Sequence, residues 1–188
     1  MGILNVTPDS FADGGKHNDF EAAIARGLEM IAEGVDIIDI GGESTRPGAD
    51  RVSEEEEIAR TIPVIAELAK HGTPISIDTM RATTAEAAIK AGASIVNDVS
   101  GGLADSEMLQ TAARLQVPYI AMHWRGQSKD MNSKAVYEDV VSDVISELYE
   151  RIEAALDAGI QKDKLIIDPG LGFAKDAEHN WAIIDSID

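Results

Sequence analysis

Short apolar runs alternate along the chain with longer amphipathic stretches. The apolar runs predict six β-strands, at Ile3–Val6, Asp36–Ile40, Ile75–Asp78, Ser94–Asp98, Tyr119–Met122 and Leu165–Asp168. The stretches between the runs have helical spacing. In the longest, Val136–Ala158, apolar residues recur on one face at Val140, Val144, Leu148, Ile152 and Leu156. Strands that alternate with helices predict a parallel sheet with right-handed crossovers.

The predicted helices have recognisable start and stop signals. Glycines follow three of them and predict left-handed C-terminal caps, at Gly34, Gly92 and Gly159. Capping-box pairs predict helix starts at Asn18 with Glu21, Ser53 with Glu56, and Thr83 with Glu86. The unit of helix, glycine, buried strand and polar residue recurs as a weak internal repeat. With no linker between units, the sequence predicts a single domain over residues 1–188.

This alternation is compatible with an open doubly wound sheet or with a (β/α)₈ barrel. The dinucleotide-binding glycine pattern and the P-loop lysine motif do not occur. Almost every strand ends in a polar residue instead, which is typical of a barrel whose site is built from many loops. We therefore predict an α/β fold, a (β/α)₈ TIM barrel of which this chain holds about the first six βα units. Since six units leave two exposed sheet edges, we expect an incomplete barrel.

Composition and charge exclude several classes of function. There are no cysteines, so disulfides and thiolate chemistry are excluded. The net charge is 16 − 34 = −18, which excludes the basic surface of a nucleic-acid-binding protein. An anionic ligand would therefore need local arginines, backbone N–H groups or a divalent cation. Without a membrane-length apolar run or a leader-like N-terminus, we expect a cytoplasmic protein with no membrane partner.

Polar side chains at the predicted strand ends form a candidate site. They are Asn5, Asp39, Asp78, Asn97, Met122–His123 and Asp168. Together Asp78, Asn97 and Asp168 suit a flat heterocycle with adjacent N–H, NH₂ and C=O groups, which bidentate pairing would select. The alternative is that these groups satisfy only the barrel itself. For His123, a ligand contact and a structural hydrogen bond are both open.

Several motifs resemble the bacterial dihydropteroate synthases of folate biosynthesis. The two longest lie in polar loops after the first two strands, and the others follow later strands in the family's order. They are Asn5–Phe11, Asp39–Gly48, Ser76–Thr79, Asn97–Gly102, Met122–His123 and Asp168–Phe173. The resemblance covers essentially the whole chain. It implies a (β/α)₈ barrel transferase that joins 6-hydroxymethyl-7,8-dihydropterin diphosphate to p-aminobenzoate, releases pyrophosphate and is a sulfonamide target.

The resemblance also implies roles for individual residues. Asp78, Asn97 and Asp168 would hold the pterin ring, with Met122 packed on its face. Asn5 would bind Mg²⁺ on the diphosphate, for which oxygen ligands are apt. The diphosphate and p-aminobenzoate would be contacted by Thr45, Arg46, Pro47, Ser10, Phe11 and Phe173. No covalent nucleophile is implied, and the full-length protein would be a homodimer.

The chain departs from the family after its sixth strand. The family's later Ser-Arg-Lys and Arg-x-His segments, which bind the pterin and the diphosphate, do not occur, and Lys175 lies too close to the sixth strand to replace them. We therefore expect a fragment with reduced or no activity. Two alternatives remain: a barrel of the methyltetrahydrofolate methyltransferase type, and a non-catalytic pterin-binding module. The two long loop motifs favour the synthase.

Overall fold

Six parallel strands form one sheet in chain order. The computed structural model describes residues 1–7, 15–44, 51–127, 129 and 131–187. The strands are β1 (Gly2–Asn5), β2 (Ile38–Gly41), β3 (Ile75–Asp78), β4 (Ile95–Asp98), β5 (Tyr119–Met122) and β6 (Leu165–Asp168). All six predicted strands are confirmed, with bounds that differ by no more than two residues.

The helices agree with the prediction less closely. They are α1 (Gly15–Ala32), α2 (Glu54–Leu68), α3 (Ala82–Ala91), α4 (Met108–Leu115), α5 (Val140–Asp157) and α6 (Ala177–Asp185). In the ranges given above, no helix combines the length and apolar character needed to cross a bilayer.

Only one of the three predicted helix starts is confirmed. Ser53 caps α2, because its hydroxyl accepts from the Glu56 N–H at 3.2 Å. The start predicted at Asn18 is wrong, since α1 already begins at Gly15. The start predicted at Thr83 is also wrong, because the Ala82 N–H donates to the distant Asp105 carboxylate at 2.8 Å. Local sequence cannot reveal a cap that comes from another segment.

The strand order distinguishes between the two candidate architectures. A doubly wound sheet reverses direction near its middle, and its sequence neighbours there are not adjacent. Here each strand pairs in parallel with its sequence neighbour. The arrangement is therefore that of a (β/α)₈ barrel with about six βα units. Within the described residues, β1 and β6 are the two edges of the sheet.

The two faces of the sheet differ in chemistry. One face packs against the helices and forms the main core, in which strand residues such as Ile40, Ile77 and Val96 are fully buried. The side chains of the other face point away from the helices because strand residues alternate. There Ile3 on β1 is 66% exposed and Ile166 on β6 is 46% exposed. This second face is therefore open at both sides of the sheet. Its polar side chains lie toward the carboxyl ends of the strands.

Candidate active site

The parallel register brings the predicted site residues to one edge of the sheet. Across the first four strands, Asn5 lies beside Gly41, Gly41 beside Asp78, and Asp78 beside Asn97. On the last two strands Met122 lies beside Asp168. Five residues singled out from the sequence thus meet at the carboxyl ends of the strands, where barrel active sites lie.

Because Gly41 has no side chain, a side-chain oxygen of Asn5 and one of Asp78 border the same empty position at this edge of the sheet. A methyl group placed on Gly41 would lie 3.3 Å from Asp78 Oδ2 and 3.5 Å from Asn5 Oδ1. A larger side chain would fill the space in front of both oxygens. Glycine therefore leaves an amide oxygen and a carboxylate oxygen available on either side of an open position.

Asp78 is surrounded by groups of its own charge. Burial raises the pKa of its carboxyl well above the usual range, and the nearby Asp39, Asp98, Glu57 and Glu43 raise that pKa further. The residue as a whole is half-buried. A partner that brings N–H donors or positive charge to this carboxyl would relieve the repulsion.

Asp39 lies deeper than the sequence predicted. It is in the middle of β2, beside Ser76 of β3, and the strand ends at Gly41. Its Oδ2 accepts from the Asn97 amide at 3.1 Å, so Asp39 orients that amide. Burial raises the pKa of Asp39, and the nearby Ser76 and Asn97 oppose the change. Among the described residues, Asp39 Oδ1 and Ser76 Oγ have no hydrogen-bond partner of normal geometry.

Asp98, which directly follows Asn97, has a structural role. It accepts from the Ser100 N–H at 2.8 Å, the Ser100 hydroxyl at 2.7 Å and the Gly102 N–H at 2.8 Å. The hydroxyl of the buried Tyr119 also donates to it, at 2.7 Å. Asp98 thus folds the turn after β4 and supports the position of Asn97.

Glu57 is a buried centre that sequence reasoning missed. The run Glu54–Glu57 is the first turn of α2, and Glu57 is only 1% exposed. It accepts from the Thr79 hydroxyl at 2.6 Å and the Thr84 hydroxyl at 3.2 Å, and it pairs with Arg81. Four consecutive glutamates give no signal that one is buried.

Arg81 joins Glu57 to the segment that follows β2. Its guanidinium donates to Glu43 Oε2 at 2.8 Å and to the Val52 carbonyl at 2.6 Å. Arg51 donates to the other Glu43 oxygen at 2.9 Å. One guanidinium therefore contacts both flanks of residues 45–50. The predicted site residues Thr45, Arg46 and Pro47 lie outside the described residues, as do Ser10 and Phe11.

The remaining predicted residues lie in an apolar cluster next to Asp168. Met122 is 4% exposed and packs with Met80 and Val99, and Phe173 packs against the same cluster. The carboxylate of Asp168 accepts from the Gly170 N–H at 2.7 Å. An apolar wall and a carboxylate therefore lie side by side, as a flat polar heterocycle requires.

The side chain of His123 makes structural hydrogen bonds, which is one of the two roles that the sequence left open for it. The ring is 1% exposed, and both nitrogens have partners: Glu147 Oε2 at 3.0 Å and Lys175 Nζ at 2.9 Å. Burial, helped by the Lys175 charge, lowers the pKa of His123 to about 4. The ring is therefore neutral at neutral pH, with Nε2–H donating to Glu147 and Nδ1 accepting from Lys175.

This shift predicts part of the acid sensitivity of the protein. Between pH 6.5 and about 4 the unfolded chain binds a proton at His123 and the folded chain does not, so stability falls as the pH falls. The contribution is up to about 3 kcal/mol. Urea unfolding at pH 7 and pH 4.5 should show a smaller acid loss in His123→Asn than in the wild type. The exposed His71 supplies the control His71→Asn, and equal acid losses in all three proteins would contradict the prediction.

The donor set at the strand ends fits magnesium bound together with a ligand. In the described ranges, no group of three or more His, Cys, Asp or Glu side chains is placed to hold a metal ion. The site does provide the side-chain oxygen of Asn5, which lies beside the open position at Gly41. Mg²⁺ usually keeps water and takes only one or two protein oxygens beside substrate phosphates. The residues therefore fit an ion that arrives with a phosphorylated ligand.

Comparisons with known proteins agree with this geometry. The model of the family described as "Pterin binding enzyme" matches residues 1–188. The dihydropteroate synthase of Mycobacterium leprae is 48% identical over 188 residues, which are all of this chain and 66% of that protein. The chain thus spans just under two thirds of the length of that relative.

Two solved structures of Xanthomonas albilineans dihydropteroate synthase are also similar. The one with 4-aminobenzoic acid has a TM-score of 0.92 and 48% identity. The one in complex with 7,8-dihydropteroate has a TM-score of 0.87 and 44% identity. Each match covers 100% of this chain and 66% of the other. The match of the family model over residues 1–188, with these identities, shows that the chain belongs to the pterin-binding enzyme family.

Proposed function

We propose that this chain is the pterin-binding part of a dihydropteroate synthase, which joins 6-hydroxymethyl-7,8-dihydropterin diphosphate to p-aminobenzoate. The observation that carries the proposal is the row of Asn5, Gly41, Asp78 and Asn97 next to Met122 and Asp168 at one sheet edge. The relatives named above support it, because two of their structures contain 4-aminobenzoic acid and 7,8-dihydropteroate.

Three polar side chains would recognise the pterin. The Asp78 and Asp168 carboxylates would accept from ring N–H and NH₂ groups, and the Asn97 amide, oriented by Asp39, would pair with a third ring atom. Met122 would pack on the face of the ring. Such a site selects against rings that lack these groups, since its buried polar atoms would then be unpaired. The raised pKa of Asp78 shows that its charged form is unfavourable in the free protein, and the N–H donors of the ligand would stabilise that charged form.

The second substrate and the diphosphate would lie beside the loops that follow β1, β2 and β6. Thr45 and Arg46 would lie near the diphosphate, while Ser10, Phe11, Pro47 and Phe173 would line the p-aminobenzoate pocket. Asn5 would give its side-chain oxygen to Mg²⁺. The ion, when bound, would supply the positive charge that stabilises the departing diphosphate.

The reaction would need no covalent nucleophile. Electron release from the ring nitrogens would break the bond between the exocyclic methylene and the diphosphate oxygen, and the aniline nitrogen would form the new C–N bond and lose a proton. The Asp78 and Asp168 carboxylates would stabilise positive charge on the pterin. The residues of this chain would thus bind, orient and stabilise the reactants.

The proposal is tested by calorimetry with p-aminobenzoate, in the presence and absence of Mg²⁺ and pyrophosphate. We expect Mg²⁺ and pyrophosphate to tighten p-aminobenzoate binding. Asn5→Ala should raise the Mg²⁺ concentration needed at least about tenfold, while Asn5→Asp, which keeps an oxygen ligand, should not. Pterin binding without this enhancement would favour the non-catalytic module. Binding of methyltetrahydrofolate, with no binding of p-aminobenzoate, would favour the methyltransferase type.

Three sequence-based expectations stay predictions. They are the cytoplasmic location, the homodimer of the full-length protein, and the reduced or absent turnover of these 188 residues by themselves. Turnover is checked by following p-aminobenzoate incorporation with the pterin diphosphate.

A further inference from the structure

Lys175 is a buried lysine whose donors are all used within the protein. It is 8% exposed, although lysine is rarely buried without partners. Its ammonium group contacts His123 Nδ1 at 2.9 Å, the Gly170 carbonyl at 3.1 Å and the Phe173 carbonyl at 3.1 Å. Since an ammonium group has three N–H donors, none remains for a ligand.

His123, which accepts from the lysine, is itself held in place. Its Nε2–H donates to Glu147 of α5, and Arg125 donates to the same carboxylate at 3.1 Å. The backbone N–H of His123 also donates to the Asp168 carbonyl, at 2.9 Å. The ring is therefore fixed by α5 and by β6, with Nδ1 presented to Lys175.

The loop that Lys175 ties together has an unusual backbone. Gly170 has φ +68°, and a methyl group there would lie 2.6 Å from the His123 carbonyl oxygen. Ala174 has φ +49°, which is uncommon for a residue other than glycine, and its carbonyl accepts from the Tyr137 hydroxyl at 2.9 Å. Such a conformation persists only where surrounding contacts hold it. The Lys175 ammonium provides two of these contacts.

We propose that Lys175, oriented by His123, is a positioning residue that holds the loop of residues 168–175 in the shape that pterin binding requires. The loop begins at Asp168 and contains Phe173, two residues of the proposed site, and the Gly170 N–H donates to the Asp168 carboxylate. The inference rests on the proposed function. It assigns Lys175 a role distinct from ligand contact, because its donors are already occupied.

The charged groups around Lys175 provide a way to recognise this role. Burial and the positive charge of Arg125 lower the pKa of Lys175 to about 8, whereas the negative charges of Asp168 and Glu147 raise it. The remaining neighbour, His123, is neutral and contacts the ammonium group directly. Once deprotonated, the amine has two donors for three acceptors, so one contact of the loop is lost. Arginine, which stays charged at these pH values, would not lose it.

The test compares variants of the 188-residue chain by calorimetry with pteroic acid from pH 7 to pH 9.5. We expect Lys175→Met to bind at least about tenfold more weakly than the wild type. Lys175→Arg should lack the loss of affinity that the wild type shows above pH 8. Because the titration of the ligand is common to both proteins, the ratio of their affinities isolates Lys175.

A second pair of variants separates positioning from general stability. His123→Asn keeps an acceptor near the Nδ1 position, whereas His123→Gln keeps a donor for Glu147, so His123→Gln should weaken binding more. Hydrogen exchange of the amides of residues 169–175 should be faster in Lys175→Met without ligand. If Lys175→Met does not fold, the pH profile of Lys175→Arg and the comparison of His123→Asn with His123→Gln still test whether Lys175 positions the loop.

The possible outcomes distinguish the two proposals. A wild-type chain that does not bind pteroic acid would contradict the proposed function, and the exchange rates would still show whether Lys175 holds the loop. A wild-type chain that binds, with Lys175→Met within twofold of it and loop exchange unchanged, would overturn the role of Lys175. An alkaline loss of affinity shared by Lys175→Arg would also overturn it.

Discussion

Replacing Asp78 with asparagine is expected to stabilise the protein at pH 8 and to weaken pteroic acid binding at least about tenfold. The carboxyl is surrounded by Asp39, Asp98, Glu57 and Glu43, and its raised pKa means that the folded state prefers it protonated. The wild type therefore loses stability from this group as the pH rises above the ordinary range of aspartate. Asparagine removes that loss, and it also removes the negative charge that the pterin would use.

The stabilising effect should follow the pH. The advantage of Asp78→Asn over the wild type should vanish near pH 4 and grow toward pH 8, as measured by thermal unfolding. Asp98→Asn is the buried control and should destabilise at both pH values, since each Asp98 oxygen accepts two hydrogen bonds and the oxygen that becomes an amide nitrogen can no longer accept its two. The exposed Asp163 supplies a neutral control, Asp163→Asn. A less stable Asp78→Asn at pH 8 would contradict the prediction.

Replacing Arg81 with methionine is expected to lower the free energy of unfolding by about 3–5 kcal/mol. Glu57 is 1% exposed and Glu43 is 7% exposed, and Arg81 bridges them. Without the guanidinium, two buried carboxylates face each other, and the Val52 carbonyl loses its donor. Urea unfolding at pH 7.5 measures the loss.

Two further variants show whether buried charge is the cause. The double variant Arg81→Met with Glu57→Gln should recover part of the loss, because the uncompensated carboxylate is then absent. Arg26→Met should leave the free energy of unfolding nearly unchanged, since Arg26 pairs with Glu29 on the surface, where the two side chains are 43% and 60% exposed. A loss below 1 kcal/mol for Arg81→Met would show that the bridge contributes little.

The strands were predictable because the information that defines them is local. A short apolar run followed by a polar residue marks both a buried strand and its carboxyl end, so Asp78 and Asp168 were located as strand ends from sequence alone. Helix starts were predictable only where the capping residue is adjacent, as at Ser53. The start of α3 was not, because its cap, Asp105, is 23 residues from Ala82.

The sequence by itself determined the order of the βα units, the barrel type of fold and the set of polar residues that meet at the sheet edge. Only the tertiary structure decided which charges are buried together. Glu57 meets Arg81 from 24 residues away, and Lys175 meets His123 from 52 residues away. The physical reason is that burial and the pairing of charges depend on the packing of distant segments, and that packing also sets the pKa values and the shapes of the loops around the site.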